Sequence, residues 1–175
     1  HKINGPKGVG VLYARPGVRF TPHQFGGSQE RKRRAGTENV PGIVGFGKAA
    51  EIACGTLEEK RRICMMLREA MLAVWDNAGI AYVVNGHPTE FLPHILNVSF
   101  IGVDTEAMLM NLDLQGVACA SGSACTAGSL EASHVLKAMK LPEDVLTSAV
   151  RFSFGYGNTV KEVQQAAEKV VDIVK

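Results

Sequence analysis

The sequence predicts an α/β layered fold, helices packed on a short sheet, and three observations carry that expectation. Short runs that alternate apolar with polar residues, Ile95–Phe100 and Val150–Phe154, are set between segments of helical period. Gly and Pro punctuate the joints, at Gly55, Gly79, Gly86, Pro88, Pro93 and Pro142. The C-terminal segment opens on a capping box, Thr159-Val160-Lys161-Glu162, followed by an apolar stripe at Val160, Val163, Ala167, Val170 and Val174.

Each element follows from its residues. The opening His1-Lys2-Ile3-Asn4-Gly5-Pro6-Lys7-Gly8 is turn-rich and feeds the apolar run Val9–Tyr13. With Arg15-Pro16-Gly17 as a turn, residues 8–20 are expected to form a hairpin-like strand pair. Residues 23–39, Gly-rich with the basic cluster Arg31-Lys32-Arg33-Arg34, read as loop. A helix is expected from near Val40, with Pro41 at its first position, to Cys54, where Gly55 stops it. Thr56-Leu57-Glu58-Glu59 caps a second helix that runs to about Ala78 and ends at Gly79.

A short strand around Tyr82–Val84 and a Gly/Pro loop come next. In the run Ile95–Phe100, Leu96, Val98 and Phe100 share one face, and Asn97 and Ser99 share the other. Asp104–Asn111 suits a helix and Gly116–Ala120 a short strand. Residues 120–130 are small and flexible in composition, with helices expected over Ser133–Met139 and Pro142–Ala149. In the last strand Arg151 lies on the face opposite Val150, Phe152 and Phe154. No internal repeat or low-complexity tract interrupts this order.

Composition narrows the function. The 175 residues are 46% hydrophobic and 21% charged, the balance of an ordinary globular domain rather than a disordered chain. Nineteen basic and 17 acidic residues leave a formal charge of +2, too small to make nucleic acid or an anionic membrane the main partner. No apolar run approaches the ~18–20 residues that span a bilayer, and no signal peptide opens the chain. A soluble, cytoplasmic protein is expected. Cysteines at 54, 64, 119 and 125 are too sparse for a disulfide scaffold, and no CxxC or CxxH pair supports a structural zinc site.

Four places can carry chemistry. Cys125 sits in the run Ala-Ser-Gly-Ser-Ala-Cys-Thr-Ala-Gly-Ser-Leu, which contributes nothing to a core, so its thiol is either a nucleophile or a loop cysteine without consequence. Cys119, in a short apolar stretch, reads as core. Lys2 is either a solvated lysine or an amine placed to attack an aldehyde. The segment Gly26–Thr37 combines glycines, Arg34 and Thr37 before a helix start, the ingredients of an anion site or of a solvated basic loop. Arg151 is either exposed or a two-pronged clamp for a carboxylate.

Four segments taken together resemble one family. HKINGPKGVGVLYAR, GGSQERKRRAGTEN, SGSACTAGSLEASHVL and VRFSFG, in this order and spacing, are similar to the C-terminal half of the NifS/IscS-type cysteine desulfurases. Those are pyridoxal-phosphate enzymes of aminotransferase class V with the fold-type I architecture, and the resemblance covers essentially the whole chain. It implies that residues 1–54 are the end of a large cofactor-binding domain with its sheet and connecting helix. Residues 55–175 would then be a small α+β domain with a short sheet covered by helices, carrying the catalytic cysteine loop.

By motif position, Lys2 would bind the cofactor pyridoxal 5'-phosphate covalently and shuttle a proton. His1 would help hold the phosphate, and Thr37 would reach the phosphate of a dimer partner. Arg34 matches a family arginine whose role stays open, Cys125 matches the catalytic nucleophile, and Arg151 the grip on the substrate carboxylate. The resemblance further implies L-cysteine as substrate, L-alanine and a Cys125 persulfide as products, no metal, a homodimeric enzyme, and a sulfur-acceptor or cluster-scaffold protein as partner. The family enzyme is more than twice this length, so the chain alone is expected to be inactive. An interaction module of this fold and a class V aminotransferase or lyase are the alternatives.

Overall fold

The computed structural model of the protein describes residues 1–122 and 133–175. The chain divides into two units, His1–Leu57 and Glu58–Lys175. The first holds α1 (Gln29–Lys32) and α2 (Val40–Gly55) and no strand. The hairpin expected over residues 8–20 does not form. That stretch makes one turn bond, Val18 N–H to the Arg15 carbonyl at 3.1 Å, around Gly17 at φ 87°. Val11, Leu12 and Tyr13 are consecutive and 77%, 74% and 80% exposed, so neither parity of the run has a core to face. A hairpin with no face to bury is marginal in water.

The short α1 is one turn, in which Glu30 and Arg31 leave right-handed space at φ 50° and 56°. In α2 the helix starts at Val40, so Pro41 is its second residue rather than its first; the missing N–H still falls among the four that have no intrahelical partner. Asn39 caps the end by accepting from Gly42 N–H at 3.1 Å. A Cβ at position 42 would lie 2.5 Å from Asn39 Nδ2, so a larger residue there would push the capping side chain aside. The helix continues through Gly55, and the Thr56 hydroxyl donates to the Ile52 carbonyl at 2.9 Å.

In the second unit, α3 (Leu57–Ala78) points Cys64, Leu67, Met71 and Trp75 into the core at helical spacing. Three antiparallel strands, β1 (Val83–Val84), β2 (Ile95–Ser99) and β3 (Ala149–Ser153), pair in the order β1-β2-β3. The core face of the sheet carries Leu96, Val98, Val150 and Phe152. These cluster with the stripe of α3, with Met108 and Leu112 of α4 (Thr105–Leu114), and with Val163, Ala167 and Val170 of α7 (Val160–Val174). Trp75 is fully buried: its indole N–H donates to the Ala167 carbonyl at 3.1 Å, and its ring meets Phe100 edge-on at 5.2 Å. Truncating such a residue to alanine costs about 3–5 kcal/mol.

Two helices of this unit begin on side-chain caps. Asp104 accepts from the N–H groups of Glu106 and Ala107, and Thr159 with Glu162 forms the reciprocal box of α7. Two expectations change. The helix expected over Pro142–Ala149 is only α6 (Glu143–Leu146), because the Thr147 and Ser148 hydroxyls fold back on the Glu143 and Asp144 carbonyls and Ala149 already belongs to β3. The strand expected over Gly116–Ala120 reduces to one bridge, between Ala120 and Arg151. Between these elements lies α5 (His134–Ala138). Among the described residues, no helix is long and apolar enough to cross a membrane.

Candidate functional site

In the first unit, a turn positions Lys2. Asn4 N–H donates to the His1 carbonyl at 2.9 Å, and Asn4 takes φ 62°. The segment after it lies close on α2: a Cβ at Gly5 would stand 3.2 Å from Ala49 Cβ, and one at Gly45 3.0 Å from Pro6 Cγ. Small residues on α2 are what let Gly5-Pro6 settle there. His1 and Lys2 themselves are exposed. The Thr37 loop is tied to the same segment, since Asn39 Nδ2 donates to the Gly8 carbonyl at 3.3 Å.

Within that loop Gly36 adopts φ 104°, a conformation that favours glycine, and its N–H donates to Gln29 Oε1 at 3.2 Å. Arg34 bends over Gly36 and donates to the Ala35 carbonyl at 3.0 Å. Thr37 is exposed. An amine, an imidazole and a hydroxyl, all solvent-accessible, make a donor set of the kind that suits an aldehyde and a phosphate.

The second unit positions Arg151 from both sides. On β3 it faces Asn97 of β2, and across the other edge it exchanges two backbone bonds with Ala120. Its side chain is half-buried on the face opposite the core, as the strand alternation requires. Arg151 Nε is buried and has no partner among the described residues. The ion pairs among those residues are Lys48–Glu51 and Arg61–Glu58, so neither engages it. A guanidinium placed in this way can pair with an anion.

Sequence reasoning missed what surrounds it. Asn85, Asn97 and Arg151 form one row across the sheet, since Asn85 N–H also donates to the Asn97 carbonyl. Asn85 Nδ2 donates to Asn97 Oδ1 at 2.8 Å and to Ser99 Oγ at 2.7 Å. Ser99, expected simply to face away from the core, is fully buried, because its hydroxyl donates to the Val145 carbonyl of α6 at 2.7 Å. The usable signal was parity: Asn97 and Ser99 share the side of β2 that Arg151 takes on β3.

Of the cysteines, Cys125 lies outside the described residues. Cys119 is half-buried; burial foremost, with the Asp113 carboxylate adding to it, pushes its thiol up to about 11. Cys64 is buried and likewise raised, mainly by burial. Cys54 is exposed. Among the described residues no cluster of His, Cys, Asp and Glu could hold a metal ion.

Residues 1–166 match the aminotransferase class-V family. The whole chain is 53% identical to a provisionally named cysteine desulfurase, IscS 1, of Bacillus subtilis (strain 168), of which it covers 46%. It is 44% identical to the cysteine desulfurase IscS of Methanosarcina thermophila, of which it covers 43%. Among solved structures, 99% of the chain superposes on 44% of a NifS-like protein, at 35% identity and a TM-score of 0.84. SspA in complex with cysteine matches 89% of the chain and 42% of its own, at 28% identity and a TM-score of 0.62. The chain thus spans less than half the length of each of these proteins.

Proposed function

Because the chain belongs to the aminotransferase class-V family, we propose that it serves the pyridoxal-phosphate-dependent removal of sulfur from L-cysteine, as a sulfurtransferase. The observation that carries this reading is Arg151, a half-buried guanidinium with its Nε unpartnered, on a sheet face that presents polar groups and no counter-charge among the described residues. The names of the B. subtilis and M. thermophila relatives and the bound cysteine in the SspA structure support it.

The donor set of the first unit fits the cofactor: Lys2 would hold its aldehyde carbon and His1 its phosphate, while Thr37 would reach the phosphate of a dimer partner. When bound, pyridoxal phosphate supplies the electron sink that makes the substrate's α-proton labile. Arg151 binds the substrate carboxylate at two points, which fixes where the substrate sulfur lies. The Lys2 amine takes the α-proton and returns it. The Cys125 thiolate attacks the substrate sulfur; the carbon–sulfur bond breaks, its electron pair stays on carbon and is protonated, and L-alanine leaves with a persulfide on Cys125. The persulfide on Cys125 then passes its sulfur to an acceptor or cluster-scaffold protein. The enzyme in this reading is a cytoplasmic homodimer, and the 175-residue chain alone is inactive.

A chimaera tests it, with this chain in place of the corresponding segment of the B. subtilis relative. Loaded with pyridoxal phosphate, it should release alanine and sulfide from L-cysteine in the presence of a thiol reductant. Arg151→Ala should lower kcat/KM by roughly 100-fold, the worth of a charged two-point contact. Cys125→Ala should abolish sulfur transfer. Cofactor loading without desulfuration, or desulfuration indifferent to Cys125, would refute the reading.

A further inference from the structure

We propose that Asn97 is a second donor to the substrate carboxylate beside Arg151, held in its donating orientation by a relay through Asn85 and Ser99. The inference rests on the reading of Arg151 just given and deepens it. It begins at the Val145 carbonyl, which can only accept and which takes the single proton of the Ser99 hydroxyl at 2.7 Å. Ser99 Oγ therefore accepts from Asn85, 2.7 Å away, and this identifies the Asn85 atom as the amide nitrogen. Its second N–H goes to Asn97 at 2.8 Å, so the Asn97 atom facing Asn85 is the oxygen.

The remaining end of Asn97 is then its NH₂ group. Asn97 and Arg151 are directly opposed in the β2–β3 register on the same face, a placement that brings side chains within about 5 Å of one another at Cβ. Two donors, the Asn97 amide and the buried Arg151 Nε, thus stand side by side in the row, and Arg151 Nε has no acceptor among the described residues. Both suit a carboxylate, which only accepts.

The arrangement is costly. It leaves Asn85 Oδ1 buried without a partner among the described residues, and a buried acceptor left unpaired opposes folding. A polar row retained against that cost, on a sheet whose other face is wholly apolar, is better explained by a ligand than by stability.

Titration of the ¹⁵N-labelled chain with L-alanine, against ethylamine as the same amine without a carboxylate, reads this directly. The Arg151 Nε–H and Asn97 Nδ2–H₂ resonances should shift together on one saturation curve, and ethylamine should move neither. Asn97→Ala should weaken L-alanine binding about tenfold, as expected for one hydrogen bond to a charged group. Ser99→Ala, which frees the relay to flip, should weaken it by less. A shift at Arg151 with Asn97 unmoved overturns the proposal and leaves the Arg151 reading standing; silence at both residues overturns both. The wild-type spectra decide this even where a variant fails to fold.

Discussion

Burial sorts the described cysteines by what their thiols can do. A thiol reacts as thiolate, and Cys119 is held at about 11 by burial and by the Asp113 charge, so at neutral pH it is almost wholly protonated. Cys54 is exposed on the last turn of α2. Alkylation with iodoacetamide at pH 7.5, followed by peptide mass mapping, should therefore label Cys54 at least tenfold faster than Cys119. Equal labelling would show that Cys119 is not shielded, and would reopen it as a nucleophile beside Cys125. The residue scale was partly legible in the sequence. The side that Arg151 takes follows from strand alternation alone. The burial of Ser99 does not, because it depends on α6, 46 residues further along the chain, offering the Val145 carbonyl.

Secondary-structure elements were legible where local chemistry decides them. Helix α7 declares itself twice in the sequence, by its box and by its stripe, and both are present: Thr159 N–H donates to Glu162 Oε2 at 2.8 Å while Glu162 N–H donates to Thr159 Oγ1 at 3.3 Å. Removing the cap with Thr159→Ala should cost about 1 kcal/mol at pH 7, read by thermal or urea denaturation. The hydrogen bonds from the Thr159 side chain and backbone hold the Glu162 carboxyl below its ordinary value of 4.5. Its folded form thus prefers the carboxylate. The corresponding stability is fully present above the unfolded value and is lost as pH falls through the lower folded one. The difference between wild type and Thr159→Ala should accordingly shrink between pH 5 and about pH 3, and a difference that grew on acidification would contradict the box. Elements failed to be legible where tertiary partners decide them. The run Val9–Tyr13 has strand-like residues and no face to bury, and Gly116–Ala120 pairs through a single bridge.

The two units differ in how their chain is held, and this sets what the whole molecule does under stress. Residues 1–39 carry only isolated turn and side-chain bonds, such as Asn4 to His1, Val18 to Arg15 and Lys32 to Ser28, and expose Tyr13 and Phe25 at 80% and 81%. The second unit closes a three-stranded ladder over a core that contains the protein's one tryptophan, Trp75, fully buried. Local opening needs little free energy where few buried contacts and ladder bonds must break. Brief trypsin treatment should therefore cut first after Lys7, after Arg19 or within Arg31–Arg34, all of them exposed. The blue-shifted fluorescence of Trp75 should persist through those cuts, because the core cluster it belongs to, the Tyr82, Phe100 and Phe152 rings against it included, comes from the second unit. A red shift that accompanied the first cleavage would mean that the core of residues 58–175 depends on the first unit for its fold. An unchanged emission assigns the strands that carry Arg151 and Asn97 to a unit that holds its shape by itself, the condition under which the carboxylate titration of this chain reports on a formed site.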